Sequence, residues 1–186
     1  MRASLVSVDT GLNGCGVAAF YKDGSLRWAG YVRSGVSPQR PIGERVLAMA
    51  AEVEQALQKH CTYNGHLVVE IMQSYRGGAQ GGDQNDLISL SLVGGAIAGL
   101  LRDPLPTFYK PRDWKGTMKA NPCARRIIGR LNAEERENVE NLAKFETMLT
   151  IAEARGEDVG GTDHNTIDAV GIGLKALGRF DARRAG

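Results

Sequence analysis

The first third of the sequence carries the pattern that most restricts the fold, because three short apolar segments follow one another with tight turns between them. Residues 5–9, 15–21 and 26–32 each have the length and composition of a β-strand. Residues 11–14 form the first turn, and the second contains Asp23-Gly24, a typical hairpin dipeptide. The chain is therefore expected to begin with an antiparallel meander of three strands.

Helical and strand patterns alternate after this meander. Apolar residues recur at helical spacing between residues 38 and 60, and residues 66–70 then have the composition of a short buried strand. A glycine-rich loop follows over residues 71–86. The remaining segments predict a helix over 85–102, a strand over 106–109, a basic mixed segment from 111, a helix over 133–155 and a last helix from Thr162 or Asp163 to about Phe180. This order predicts one α/β domain over residues 1–186, with a mixed sheet flanked by helices.

Charge is distributed unevenly along the chain. The sequence has 186 residues and a formal net charge of +2, with 23 basic and 21 acidic side chains. Residues 102–130 hold eight basic side chains against two acidic ones, whereas residues 134–158 are mainly acidic. The basic block suits a polyanionic partner, and a solvated surface is the alternative reading.

Cysteine usage and hydropathy indicate the cellular setting. Cys15, Cys61 and Cys123 form an odd set without metal-ligand spacing, so we expect reduced thiols in a cytoplasmic protein. The first residues do not resemble a signal peptide. The longest apolar stretch, residues 87–101, is too short to span a bilayer, and we expect no membrane contact.

Carboxylates stand at three positions beside apolar segments, where burying a charge without a partner would be costly. Asp9 and Glu70 each end an apolar strand, and Asp168 lies in an apolar helix, four residues after His164 and therefore on the same helix face. Asp9 could instead form a turn, and Asp163 could cap the helix. Carboxylates that meet repel unless a cation offsets them, and Mg²⁺ prefers oxygen ligands. Two such ions can hold an attacking water and a leaving oxygen across a phosphodiester.

These segments resemble the RuvC-type Holliday junction resolvases. Residues 7–11 (Ser-Val-Asp-Thr-Gly) and 14–18 (Gly-Cys-Gly-Val-Ala) are similar to the first-strand motif of that family. Residues 68–70 (Val-Val-Glu) resemble its fourth-strand motif, and residues 164–170 (His-Asn-Thr-Ile-Asp-Ala-Val) resemble its final helix. The resemblance spans nearly the whole chain and implies a ribonuclease H-like fold with a mixed five-stranded sheet.

The resemblance also implies an activity: a homodimer that makes paired, symmetric nicks in four-way DNA junctions with two Mg²⁺ ions per site, which Mn²⁺ is expected to replace. Asp9, Glu70 and Asp168 correspond to metal ligands and catalytic residues of the family. Bacterial members commonly place a further ligand three residues before the last Asp, where this chain has Asn165. His164, at the four-residue spacing of some mitochondrial relatives, is the preferred substitute, and Asp163 is the alternative.

Contacts with DNA and with a second subunit are also expected. Candidate DNA contacts are Tyr75, Arg76, Lys110, Arg112, Lys115 and Lys119. The apolar stripe of the helix over 85–102 could form a dimer contact or pack on the protein's own sheet; it comprises Leu90, Val93, Gly94, Ile97, Ala98 and Leu101. Three rival functions remain open: an RNA-cleaving nuclease of the same fold, an actin-like ATPase, and a non-catalytic DNA-binding module.

Overall fold

A single five-stranded sheet forms the centre of the protein. The structure is a computed structural model that describes residues 2–71, 84–103 and 105–181. The strands are β1 (Arg2–Asp9), β2 (Gly14–Phe20), β3 (Leu26–Arg33), β4 (Thr62–Glu70) and β5 (Thr107–Tyr109), in the spatial order β3-β2-β1-β4-β5. The pairs β1–β2 and β2–β3 are antiparallel, whereas β1–β4 and β4–β5 are parallel. The predicted mixed sheet is therefore confirmed, including its opening meander.

Helices cover both faces of this sheet. Helices α1 (Ile42–His60) and α2 (Gln84–Leu101) pack on one face, with Met49, Val53 and Ile97 fully buried against Val6 and Val8 of β1. The other face is covered by the remaining helices: α3 (Pro111–Trp114), α4 (Ala120–Ile128), α5 (Ala133–Glu137), α6 (Leu142–Arg155) and α7 (Thr162–Ala176). The sheet thus separates two hydrophobic cores, one on each face.

Helix α7 lies closest to the sheet because glycines remove the side chains that would separate them. A Cβ at Gly173 would clash with the ring of Phe20 and would approach Ser7 Oγ to 2.7 Å. A Cβ at Gly16 would clash with the backbone of Asn165. Ser7 Oγ donates a hydrogen bond of 2.7 Å to the carbonyl of Ala169, which fixes the helix along β1. The first turns of α7 are consequently held beside the ends of β1 and β2.

Two segments differ from the sequence expectations. The single helix expected over 133–155 is divided into α5 and α6, because Asn141 adopts a left-handed conformation (φ 58°) and residues 138–140 bond to the outer edge of β3 through Ala29. The basic segment after Pro111 contains two helices, α3 and α4, which the mixed charge pattern did not predict.

The stripe of α2 that was a candidate dimer contact packs mainly inside the protein. Val93 and Ile97 are fully buried and Ala98 is 8% exposed, all in the core beneath α1. Within the described residues, no helix combines the length and the apolar character needed to cross a membrane. The three cysteines are buried free thiols.

Candidate active site

The site lies where β1 and β4 end, beneath the first turns of α7. Val8 pairs with Val69 in the parallel ladder, so Asp9 and Glu70 end neighbouring strands at the same edge. Their side chains point to the α7 face, since residues two apart share a face of a strand and Ser7 contacts α7. Thr10 Oγ1 donates to the carbonyl of Glu70 over 2.9 Å and fastens the two strand ends together.

Helix α7 brings the third carboxylate to this edge. Asp168 is buried, with only 4% of its surface exposed. Its Oδ2 atom lies 3.4 Å from Nε2 of His164, one helical turn earlier. The structure therefore brings together Asp9, Glu70, His164 and Asp168, which are distant in the sequence.

Asp163, the alternative to His164, faces away from this cluster. Its carboxylate lies 3.3 Å from Nζ of Lys144 on α6. His164 instead packs its ring against Phe145, 6.4 Å between centroids, while Nε2 points toward Asp168. Of the two residues, His164 is the one placed within reach of Asp168.

Two residues of the segment that follows β5 complete the site. Trp114 Nε1 donates a hydrogen bond to Oε2 of Glu70, and Lys115 Nζ lies 2.8 Å from Oδ2 of Asp168. Sequence analysis missed Trp114 and placed Lys115 among surface DNA contacts, whereas its side chain is largely buried in the carboxylate cluster. The available signal was a Pro that begins a short helix directly after a strand, with Trp-Lys three residues later, but it gave no indication of side-chain direction.

The electrostatics reflect three carboxylates in one buried place. Burial raises the pKa of Asp9 well above its usual range, and the charges of Glu70 and Asp168 raise it further. Burial also raises the pKa of Glu70, and the opposing effects of Lys115 and Trp114 only partly offset it. For Asp168, burial is outweighed by His164 and Lys115, so its pKa is lowered. One lysine thus does not offset the cost of holding three carboxylates charged in this place.

The donor atoms of this cluster have the chemistry that a hard cation prefers. As the side chains stand, no three His, Cys, Asp or Glu groups within the described ranges form a ready metal cage, and Trp114 and Lys115 engage Glu70 and Asp168. However, Oδ1 of Asp168 and Nδ1 of His164 are buried without hydrogen-bond partners among the residues that the structure describes. Buried orphan acceptors are costly, and carboxylate oxygens are the ligands that Mg²⁺ prefers. The residues therefore fit a divalent cation in chemistry, with Lys115 as its competitor for Asp168.

Four of the six candidate DNA contacts belong to the described residues, and they lie on the segment that supplies Trp114 and Lys115. Lys110, Arg112 and Lys119 are exposed on α3 and the neighbouring loops. None of the three makes a side-chain ion pair within the described part of the chain. Tyr75 and Arg76 lie outside the described residues.

Comparison with known proteins identifies the fold. No protein-family model matches the sequence, and no curated protein matches it significantly. Among solved structures, RuvC from Thermus thermophilus in complex with a Holliday junction substrate is 19% identical, with 93% of this chain and 91% of that chain covered and a TM-score of 0.51. The yeast mitochondrial Holliday junction resolvase Ydc2 is 11% identical, with coverages of 96% and 78% and a TM-score of 0.53. The chain thus has the ribonuclease H-like fold of RuvC.

Proposed function

We propose that this protein is a Holliday junction resolvase, a metal-dependent endonuclease that makes paired nicks in four-way DNA junctions. The observation that carries the proposal is the meeting of Asp9, Glu70 and Asp168 at one sheet edge, in a fold shared with two proteins described as RuvC and a Holliday junction resolvase. Buried carboxylates in mutual repulsion have no structural benefit, since an apolar residue at each position would cost less.

Asp9, Glu70, Asp168 and His164 are the residues that would hold the metal, two Mg²⁺ ions per site, with Mn²⁺ as a substitute. When bound, such ions supply a water of lowered pKa and stabilise the charge that develops on a phosphodiester. Oxygen donors from two strands and one helix give the site a rigid base, because all three elements belong to the central sheet and the helix packed on it.

Other side chains of the site position these ligands. Trp114 holds Glu70 in one orientation through its indole N–H, and Thr10 fixes the backbone at the end of β4. Nε2 of His164 lies near Asp168, and Nδ1 is buried without a partner among the described residues, so an imidazole nitrogen is available at this place as a ligand or for proton transfer. Lys115 neutralises part of the cluster and can approach a scissile phosphate when it leaves Asp168.

Branched DNA is the proposed partner. Lys110, Arg112 and Lys119 are exposed and have no ion-pair partner in the described part of the chain, so they present positive charge where a backbone phosphate entering the site would pass. The assignment of Tyr75 to base stacking and of Arg76 to a phosphate contact remains a proposal from the sequence. The same holds for a cytoplasmic location.

The proposed enzyme acts as a homodimer, since paired nicks need two sites related by a two-fold axis. The outer face of α2 offers the contact. Ile88 and Leu92 are 61% and 51% exposed, and Leu100, just over two turns after Leu92, is 40% exposed. An added Cβ at Gly95 or Gly99 on this face would meet no neighbouring atom within 4 Å, so a second helix can approach closely. The dimer contact therefore uses the face opposite to the stripe predicted from the sequence.

The test is a cleavage assay on a labelled four-way junction and on a linear duplex of matching sequence, with and without Mg²⁺. We expect nicks at symmetric positions in the junction only, and only with the metal. Asp9→Asn should abolish cleavage while junction binding is kept, because the change removes a charge and not a DNA contact. Equal cutting of the linear duplex or of an RNA duplex would contradict the proposal, as would ATP turnover without nuclease activity.

A further inference from the structure

A row of residues crosses the sheet in line with the carboxylates and continues beyond them. In the observed register Asp9 lies opposite Gly16 of β2, and Gly16 lies opposite Tyr31 of β3. Residues directly opposite one another in antiparallel strands share a face. Tyr31 therefore lies on the same face as Asp9, two strands away. With strands about 4.8 Å apart, this corresponds to roughly 10 Å between the two backbone positions.

The β2 positions beside Asp9 and Tyr31 on this face are glycines, so no β2 side chain stands between the two residues. Gly16 carries no side chain, and above it passes the backbone of Asn165 at the start of α7. Gly14 lies under the side chain of Tyr31, because an added Cβ there would clash with the ring and the hydroxyl. The Tyr31 side chain thus extends across the open end of β2, beside the active-site edge.

Within the described residues, Tyr31 and Arg33 offer a hydroxyl and a guanidinium whose hydrogen-bonding groups have no protein partner. The hydroxyl of Tyr31 makes no hydrogen bond within the described residues. Arg33, two residues later on the same face, is exposed, and its guanidinium lies 5.8 Å from the centre of the Tyr31 ring. In the part of the chain that the structure describes, Arg33 has no carboxylate partner. A guanidinium over an aromatic ring keeps its charge and its donors available.

The backbone around this pair is held in place. Ser34 N donates to the carbonyl of Asn13 over 3.1 Å, which joins the end of β3 to the turn after β1. Arg45 of α1 donates to Oδ1 of the same Asn13 over 2.7 Å. Preorganised groups lose little entropy on binding, so an exposed cation in such a frame is suited to a ligand.

Positive charge consequently flanks the carboxylates on two sides. Lys110, Arg112 and Lys119 lie on the β5 side, while Arg33 lies on the β3 side. A nucleic-acid strand carries a phosphate about every 3.4 Å along the helix axis. A span of roughly 10 Å from Asp9 therefore places the pair within a few phosphates of the scissile bond.

We propose that Tyr31 and Arg33 form a clamp for the DNA backbone on the β3 side of the active site, with the guanidinium on a phosphate and the hydroxyl donating to a phosphate or sugar oxygen. The inference rests on the proposed function and adds the position of a second set of contacts to it. The proposed contacts go to phosphate and sugar oxygens, which position the DNA and carry no sequence information.

The experiment compares Arg33→Gln with Lys22→Gln, each of which removes one exposed positive charge from an opposite end of the β2–β3 hairpin. Binding of a labelled four-way junction is measured in EDTA and in Ca²⁺ at several NaCl concentrations. For Arg33→Gln we expect weaker binding and a plot of log K against log [NaCl] that is shallower by about 0.9, the effect of one lost phosphate contact. Lys22→Gln should match the wild-type protein, and Arg33→Lys should restore the slope.

Tyr31→Phe gives an independent readout. Loss of one hydrogen bond should weaken junction binding about two- to tenfold with an unchanged salt slope, since no charge is removed. If Arg33→Gln equals Lys22→Gln in affinity and slope, the clamp is refuted while the proposed function stands. If the wild-type protein binds no junction in either buffer, the proposed function itself fails.

Discussion

Lys115 is the residue whose role the structure changes most. Its ammonium group is 2.8 Å from Asp168. Burial lowers the pKa of Lys115, but the negative charges of Asp168 and Glu70 outweigh this effect, and the pKa is raised. In the absence of divalent ions it is the cation nearest to the carboxylates within the described residues. Its contribution to stability should therefore depend on whether a metal is present.

We predict that Lys115→Met lowers the free energy of unfolding by about 3 kcal/mol in EDTA, at the lower end of the range for a broken buried ion pair. Added Mg²⁺ should recover most of this loss, because the metal takes over the compensation of charge. Urea denaturation with and without Mg²⁺ measures both values. Lys144→Met is the control: Lys144 pairs with Asp163 but is 68% exposed, so its loss should be small and independent of Mg²⁺. An equal loss for Lys115→Met in both buffers would contradict this role.

The sequence predicted which acidic residues meet, but it did not predict the two residues that bind their carboxylates. Asp9, Glu70 and Asp168 stand out because a carboxylate beside an apolar run needs a partner. Trp114 and Lys115 do not stand out, because an indole and an ammonium are ordinary on a surface helix. Only the packing of α3 against α7 turns them toward Glu70 and Asp168.

Among the elements, α7 decides whether the site forms. Gly173 allows the helix to rest on Phe20 and Ser7, so Gly173→Ala should force α7 away from the sheet. We expect a loss of about 1–3 kcal/mol, typical of overpacking, and a larger fractional loss of junction cleavage because Asp168 moves with the helix. Thermal unfolding and cleavage rates measure the two effects. Gly43→Ala is the matched control, since an added Cβ there meets nothing within 4 Å; a similar result for both variants would refute the argument.

Helix α2 carries the prediction for assembly. Its outer face exposes Ile88 and Leu92, whereas its inner face is buried on β4 and α1. Leu92→Glu should convert a dimer into a folded monomer, as measured by light scattering, because a charge is costly in an apolar contact. Leu47→Glu on α1, at a site that is 66% exposed, should leave the dimer intact. A monomeric wild-type protein, or a dimeric Leu92→Glu variant, would contradict the proposed interface.

The elements could be predicted where one local pattern determines them. Alternation and turn dipeptides gave the first three strands, and apolar spacing gave α1 and α2. The break between α5 and α6 could not be predicted in this way, since it depends on bonds between residues 138–140 and Ala29 on the edge of β3. The apolar spacing on α2 likewise did not show which of its two apolar faces packs on the sheet and α1, because that depends on contacts with distant segments.

For the molecule as a whole, a buried ion pair ties the end of α7 to distant segments. Glu135 is 1% exposed and accepts hydrogen bonds from Arg179 and from the backbone N–H groups of Leu26 and Asn132. Burial raises the pKa of Glu135, but these donors outweigh it, and the pKa is lowered. The pair therefore joins the β2–β3 hairpin, α5 and the C-terminal segment.

A lowered folded-state pKa gives stability that is present above the unfolded value, about 4.3, and is lost as the pH falls through the folded value. We predict that Glu135→Gln is less stable than the wild-type protein at pH 7, and that the difference shrinks as the pH drops below about 4. Chemical denaturation across this range measures it. A difference that stays constant from pH 7 to acid would show that the charge of Glu135 is not the cause.

The central claim is that Asp9, Glu70 and Asp168 together form a divalent-metal centre, and direct metal binding tests it. Mn²⁺ titration followed by electron paramagnetic resonance counts bound ions without any need for DNA or turnover. We predict two saturable Mn²⁺ ions per wild-type chain, displaced by Mg²⁺, and a loss of at least one in Asp9→Asn and in Asp168→Asn. Asp163→Asn, which changes a carboxylate that faces Lys144, should bind as the wild-type protein does. No saturable binding, or the same binding in all three variants, would contradict the account.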